Sequence, residues 1–189
     1  MGNPLRPGVT AVIVALNEEK QLPGLFASLR WCDGVVVVDG GSRDATTQLC
    51  RAAGVVFRER PFDDFASQRN FAVSLATTEW VLSIDADERP TRSFVSEVRS
   101  AIADRRRAAY RVPIRSVVLG RAMRFGGTQD DLPIRLFRRS LGRWEGAVHE
   151  RLIVEGSVGR LRSHLAHTTL PTLPSFLAKV NRYANLAAD

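Results

Sequence analysis

Apolar and polar stretches take turns along the first hundred residues, and their period changes as they do. Residues 9–16 form an apolar run of strand length. After Asn17 the spacing widens, and Leu22, Leu25, Phe26 and Leu29 recur at three- and four-residue intervals, predicting a helix. Pro23 falls in its first turns, where proline is tolerated. Residues 35–38, four valines in a row, predict a strand buried on both faces. A helix then runs to about Ala53, with Gly54 as its stop, and residues 55–58 read as a third strand. Residues 64–77 predict a helix, residues 80–84 a strand ending at Asp85, and residues 91–106 another helix.

Strands alternating with helices over short connections specify an α/β fold: an open, mainly parallel sheet with helices on both faces. Ligands in such sheets bind beyond the carboxyl ends of the strands. Asn17, Asp39 and Asp85 fall there on three different strands. The second half changes character, with strand-like segments near 110–119, 134–138 and 148–154 between glycine-rich or charged turns. Leu173, Phe176, Leu177, Val180 and Tyr183 then mark one face of a terminal amphipathic helix. No capping glycine or proline precedes Asp189, so this helix is expected to continue in a longer parent chain. The expected organisation is one domain in two halves, 1–106 and 107–189, with the ligand-binding strand ends in the first.

Composition narrows the class. The chain has 189 residues, 44% hydrophobic and 25% charged, ordinary values for a folded domain. No apolar stretch approaches the ~18 residues that cross a bilayer, and no signal peptide opens the chain. Cys32 and Cys50 cannot alone build a disulfide framework or a four-ligand zinc site, so a cytoplasmic location is expected. Charge is distributed unevenly. The net is +7, yet residues 1–88 carry 8 basic and 12 acidic side chains, so the entire basic excess lies beyond them. All cations except Lys20 and Lys179 are arginine, a side chain whose planar fork suits phosphate and carboxylate, although codon composition would produce the same skew.

Two acidic motifs carry chemistry. In DGGSRD (39–44) the glycines permit a tight turn and close approach of a ligand, and the aspartate can accept hydrogen bonds from a base or ribose. Ser42 or Asp44 can also cap the following helix. Neither a G-x-G-x-x-G fingerprint nor a lysine-bearing phosphate loop is present, which disfavours a nicotinamide enzyme. In DADE (85–88), two carboxylates one residue apart at a strand end can share a divalent cation with a diphosphate oxygen, or can be a solvated acidic turn.

Together with ALNEE (15–19), QRNFA (68–72), PIRLFRR (133–139), RWEGAVHERL (143–152) and KVNRYA (179–184), these motifs resemble the family-two glycosyltransferases of the GT-A fold. Within that family the chain is most similar to glucosyltransferases of lipopolysaccharide-core assembly. The resemblance implies an inverting, Mn2+- or Mg2+-dependent transfer from a UDP-sugar, UDP-glucose first, to an anionic glycan or glycolipid. Ala15, Asn17 and Glu19 would hold the uridine, Asp39 would contact uracil with Gly41 making room, and Arg69 would lie near the nucleotide unless it is a surface arginine. Asp87 would be the principal metal ligand, Asp85 would reach metal or ribose, and His149 is a further ligand or a diphosphate contact.

Inversion needs a carboxylate base opposite the leaving group. The resemblance favours Asp131 over Asp130, with Glu150 third. Arg135 or Arg138, on opposite faces of one strand, would meet the diphosphate or the acceptor. Trp144 and Phe125 can stack on a sugar or pack in the core; His164 and His167 read as structural. The arginine-rich half then suits a phosphorylated glycolipid, with peripheral contact at the inner face of the cytoplasmic membrane. Among competing readings, a nucleic-acid module would interleave aromatics with its cations, yet aromatics are 7% and the strongest motifs acidic. A nucleotidyltransferase needs a basic glycine-rich loop where Asn17, Glu18 and Glu19 stand. An inactive, truncated member that binds nucleotide but lacks an acceptor platform is the last alternative.

Overall fold

A computed structural model describes residues 7–118, 121–122, 132–146 and 150–170. The first half runs β1 (Val9–Ala15), α1 (Leu22–Ser28), β2 (Gly34–Asp39), α2 (Thr46–Ala53), β3 (Val56–Glu59), α3 (Phe65–Ser74) and β4 (Trp80–Ser83). Next come β5 (Glu88–Pro90), α4 (Arg92–Ala101), β6 (Ala109–Arg111), β7 (Ile114–Val118) and β8 (Arg121–Ala122). The chain continues through β9 (Ile134–Arg138), β10 (Gly142–Glu145), β11 (Arg151–Val154), β12 (Val158–Arg160) and β13 (Leu165–Leu170). Local chemistry sets the helix ends. Asp64 caps α3 by accepting from Ser67 N, Thr91 caps α4 by accepting from Phe94 N, and Gly54 ends α2 with φ 66°.

Seven strands form the main sheet in the order β12-β6-β9-β4-β1-β2-β3. β1, β2, β3 and β4 are parallel, while β9 runs antiparallel to both β4 and β6. Apolar side chains of alternate positions pack on the two faces. Val9, Ala11 and Ile13 join α1 and α4 residues such as Leu25, Phe94 and Val98 in one layer. Val12, Val36 and Val38 meet Ala72 and Val73 of α3, and Ala76 just beyond it, in the other. Val37 and Val38 lie in opposite layers, as a doubly buried strand requires. A second sheet, ordered β5-β13-β7-β8, and the β10–β11 hairpin flank this core.

Two expected elements differ, and three strands were not expected. The helix expected to reach residue 106 ends at Ala101, because Asp104 accepts from the backbone N–H of Arg106 and turns the chain. The strand expected over 110–119 divides at Val112 and Pro113, β6 staying in the main sheet and β7 joining the second. Pro113, with no N–H to donate, stands at the crossover. β5, β12 and β13, the first two only three residues long, had no legible pattern. The terminal helix expected over 172–188 lies outside the described residues. Among those described, no helix is long and apolar enough to cross a membrane.

Candidate functional site

The carboxyl ends of β1, β2 and β4 converge, as expected from a parallel sheet. At the first two, the loops are zipped together by polar side chains. Asn17 adopts φ 57°, which asparagine tolerates; its N–H donates to Ser42 Oγ and its Oδ1 accepts from Arg43 N. Glu18 N donates to Thr46 Oγ1, Glu19 N donates to Asp44 Oδ2, and Glu19 Oε2 accepts from Ala45 N. Asp39 is 1% exposed, and its carboxylate accepts from Gly41 N, Ser42 N and Ser42 Oγ. Gly41 has φ 104°, a conformation that needs glycine, and open space where a side chain would stand.

Asn17, Glu19 and Asp39 therefore build the loop frame. The surfaces this frame presents are backbone, Gly41, and the exposed side chains Leu16 and Phe62. These last two flank Gly40, and Phe65 packs on Phe62 with ring centroids 4.9 Å apart.

At the end of β4 the chemistry is ionic. Arg69 Nη1 donates to Ser83 Oγ and Nη2 to Asp85 Oδ1, both at 3.1 Å. Arg69 also stacks over Trp144, 4.8 Å from the ring centroid, and its Nε lies 3.5 Å from Glu150 Oε1. The neighbours of Arg69 complete the motif's work. Gln68 is buried and donates to the carbonyls of Arg60 and Pro61, while Asn70 exchanges two hydrogen bonds with the Trp144 backbone. Three successive α3 residues thus tie three different elements to the site. Arg69 is no surface arginine, and Trp144 is largely buried beneath it.

Arg135 arrives from β9. Because that strand is antiparallel to β4, its beginning lies at the end of β4, and the register skips Arg135 between the pairs Tyr110↔Leu136 and Arg111↔Ile134. Such a bulge re-aims a side chain. Its signature is a slipped alternation: Ile134 packs in the layer of Phe137, although strict alternation would place it with Leu136 in the other. Arg135 Nη2 donates to Asp85 Oδ2 at 2.7 Å and to Glu88 Oε1 at 2.8 Å, and Glu88 Oε2 accepts from Asp85 N at 2.9 Å.

Burial opposes charge on Asp85, yet Arg135 and Arg69 outweigh it and hold its pKa down at about 2. Burial raises the pKa of Glu88, Arg135 counteracts this, and Asp85 adds to the rise. The Arg135 side chain is 10% exposed, so the expected diphosphate or acceptor contact meets a buried guanidinium already engaged. Arg138 is at the far end of the strand. It pairs with Glu79, stacks 4.6 Å from the Trp80 ring centroid, and takes no part in the site, because three residues of antiparallel strand carry it away.

Asp87 points elsewhere. Its Oδ2 lies 2.9 Å from His167 Nε2, its carbonyl accepts from Thr168 N, and its side chain is 39% exposed. His167 was expected to be structural; it stands in the site because β13 pairs with β5 in the register His167↔Glu88. The hydrogen bond to Asp87 raises its pKa against the effect of burial. Glu18 was also missed. Burial raises its pKa, and the charges of Asp87, Asp44 and Asp85 raise it further, which places it before the acidic turn.

As a cation site, Asp87 and His167 offer one carboxylate and one imidazole side by side, a fitting partial donor set that leaves positions for water and phosphate oxygens. Asp85 was expected among the ligands, but both of its oxygens are held by arginine. Among the described residues, no group of three potential ligands forms. His149, Asp130, Asp131 and Phe125 lie outside the described residues. Glu150 is present beside Arg69, next to a cavity of about 280 Å3 lined by Arg111, Ile134, Trp144, Arg151 and Leu152.

Comparison with known proteins agrees with this architecture. The lipopolysaccharide core biosynthesis glycosyltransferase LpsC of Rhizobium meliloti is 32% identical over 192 residues, covering 96% of this chain and 70% of LpsC. The S. aureus TarS 1-349 structure in complex with UDP-GlcNAc superposes with a TM-score of 0.64 at 16% identity, covering 89% of this chain and 60% of that one. Glucosyl-3-phosphoglycerate synthase from Mycobacterium tuberculosis, in complex with Mn2+, UDP and glucosyl-3-phosphoglycerate, gives 0.57 at 17% identity, covering 93% and 75%. These two likenesses speak for the fold, the GT-A arrangement of a mainly parallel sheet between helices. Residues 10–148 match the family described as glycosyl transferase family 2, and the chain belongs to that family of glycosyltransferases.

Proposed function

We propose that this chain forms the catalytic unit of an inverting, metal-dependent transferase. It moves a sugar, glucose first among donors, from UDP to an anionic glycan or glycolipid of lipopolysaccharide or envelope assembly. The observation that carries this reading is the half-buried, solvent-accessible Asp87–His167 pair, set where the ends of β1, β2 and β4 meet. The lipopolysaccharide-core role named for LpsC supports the acceptor class, and the Mn2+ and UDP of the mycobacterial synthase support the donor class.

The chain's own residues divide the work. The frame of Asn17, Glu19 and Asp39 presents the backbone around Gly41 to the nucleotide, with Leu16 and Phe62 as an apolar wall for the base. Asp87 and His167, joined by His149, would hold a divalent cation, which when bound neutralises charge gathering on the departing diphosphate. Asp85 stays ionised between Arg69 and Arg135, so the turn carrying Asp87 keeps one geometry. Asp131, then Asp130 or Glu150, takes the proton from the acceptor hydroxyl. The cavity beside Glu150, edged by Arg111 and Arg151, faces the acceptor, and the arginines beyond residue 105 bring the chain to an anionic membrane face.

Thermal stabilisation by UDP, with and without Mn2+, tests the reading. UDP should raise Tm several degrees more with the metal than without it, and Asp87→Ala should abolish that difference. A wild-type chain indifferent to both would end the proposal. Asp131→Asn should keep the UDP shift and lose transfer.

A further inference from the structure

Arg135 and Glu88 form an almost fully enclosed ion pair that touches neither the exposed face of Asp87 nor the cavity at Glu150. Their side chains are 10% and 3% exposed. A desolvated pair is weak evidence for stability, since apolar residues of similar volume often serve as well. This pair instead costs the sheet its register, because β9 bulges at Arg135 to deliver the guanidinium. What it holds is specific. Arg135 grips Asp85 and Glu88 at once, and Glu88 folds back onto the Asp85 amide, closing residues 85–88 into a clasped turn. Arg89 braces the same turn from outside by donating to the carbonyls of Ala86 and Gln21. Asp87 is docked instead on β13, its carbonyl accepting from Thr168 N and its carboxylate meeting His167 Nε2.

We propose that Arg135 and Glu88 are positioning residues. Their buried pair clamps residues 85–88 between β9 and β13 and so fixes the place where Asp87 meets His167. The kinetic consequence rests on the function proposed above; the structural one does not. Glu88→Leu/Arg135→Met removes the charges and keeps an apolar filling. Its Tm should stay within about 5 °C of wild type, since burial of apolar side chains replaces a pair of little net worth. Turnover at saturating donor should nevertheless fall about 100-fold with donor KM nearly unchanged, the loss expected when a reacting group is misplaced by an ångström.

Amide hydrogen exchange gives a readout free of activity. The Thr168 N–H, whose acceptor is the Asp87 backbone carbonyl and not a mutated side chain, should exchange roughly tenfold faster as local opening becomes easier. Glu88→Gln, which preserves shape, gives the same test should the double variant not fold. It should also speed Thr168 exchange, and turnover should drop by a smaller factor. Wild-type exchange at Thr168 together with wild-type turnover in either folded variant overturns the proposal. Should wild type show no metal-dependent response to UDP, the functional reading falls, and Thr168 exchange alone decides the clamp.

Discussion

The two corners of the site are built on opposite principles. Where β1 and β2 end, the loops are joined by many hydrogen bonds between residues less than thirty positions apart, most of them from backbone N–H groups to side-chain oxygens. Where β4 ends, a few charges do the holding, and the decisive cation comes from fifty positions downstream. A zip of hydrogen bonds loses strength one tooth at a time. A buried charge cluster fails abruptly, because taking one partner strands the other in a low-dielectric surrounding.

Breaking the ionic corner should therefore cost most. Arg135→Ala strands the buried Glu88 carboxylate beside Asp85 without its cation, and chemical denaturation should report a loss of about 3–5 kcal/mol. Breaking the zip at its most buried tooth is milder. Asp39→Ala deprives Gly41 N, Ser42 N and Ser42 Oγ of their acceptor and should cost about 1–3 kcal/mol in the same measurement. Equal losses from the two variants would erase the contrast. A half-buried tooth should matter least: Ser42→Ala removes the acceptor of Asn17 N and one of the three donors to Asp39, and should cost about 1 kcal/mol.

The pH axis sharpens the comparison further. Asp85 has its pKa held below that of the unfolded chain, so its stabilising effect is present above pH ~4 and disappears as pH falls toward about 2. The Tm gap between wild type and Asp85→Asn should close over that interval. His167 has the opposite sign. Its pKa is raised by Asp87, so the stabilisation is complete below pH ~6.5 and is lost as pH rises through the elevated value. His167→Gln should thus be most destabilised relative to wild type in mildly acidic buffer, by a small margin given its partial exposure. A gap that widened with alkalinity would contradict the Asp87 contact.

Much of this was readable before any coordinates. Continuous apolar runs located β1, β2 and β4, and a three- to four-residue period the first helix between them, because burial on both faces or on one is written locally in the chain. Asp85 and Asp87 were picked out from their spacing, and Arg69 from a motif. The roles were harder to read. Asn17, Glu19 and Asp39 were expected to touch a nucleotide; the structure shows that they also tie neighbouring loops together, and a sequence cannot say which of several acceptors a donor will choose. Glu88 and Glu18 stood inside recognised motifs and were passed over, since burial is what gives them their part. His167 had no local signal at all.

The alternation of strands and helices in the first half and the strand-end location of the carboxylates follow from the chain read in one dimension, because hydrophobic pattern and turn chemistry are local properties, and the family resemblance rests on short motifs. The partners of those carboxylates do not. An antiparallel β9 sends Arg135 into the site and Arg138 away from it, a one-residue bulge aims the guanidinium, and a register between β5 and β13 sets His167 on Asp87. Each of these is a pairing between distant segments, settled by how two sheets pack around one core, and no local pattern encodes it.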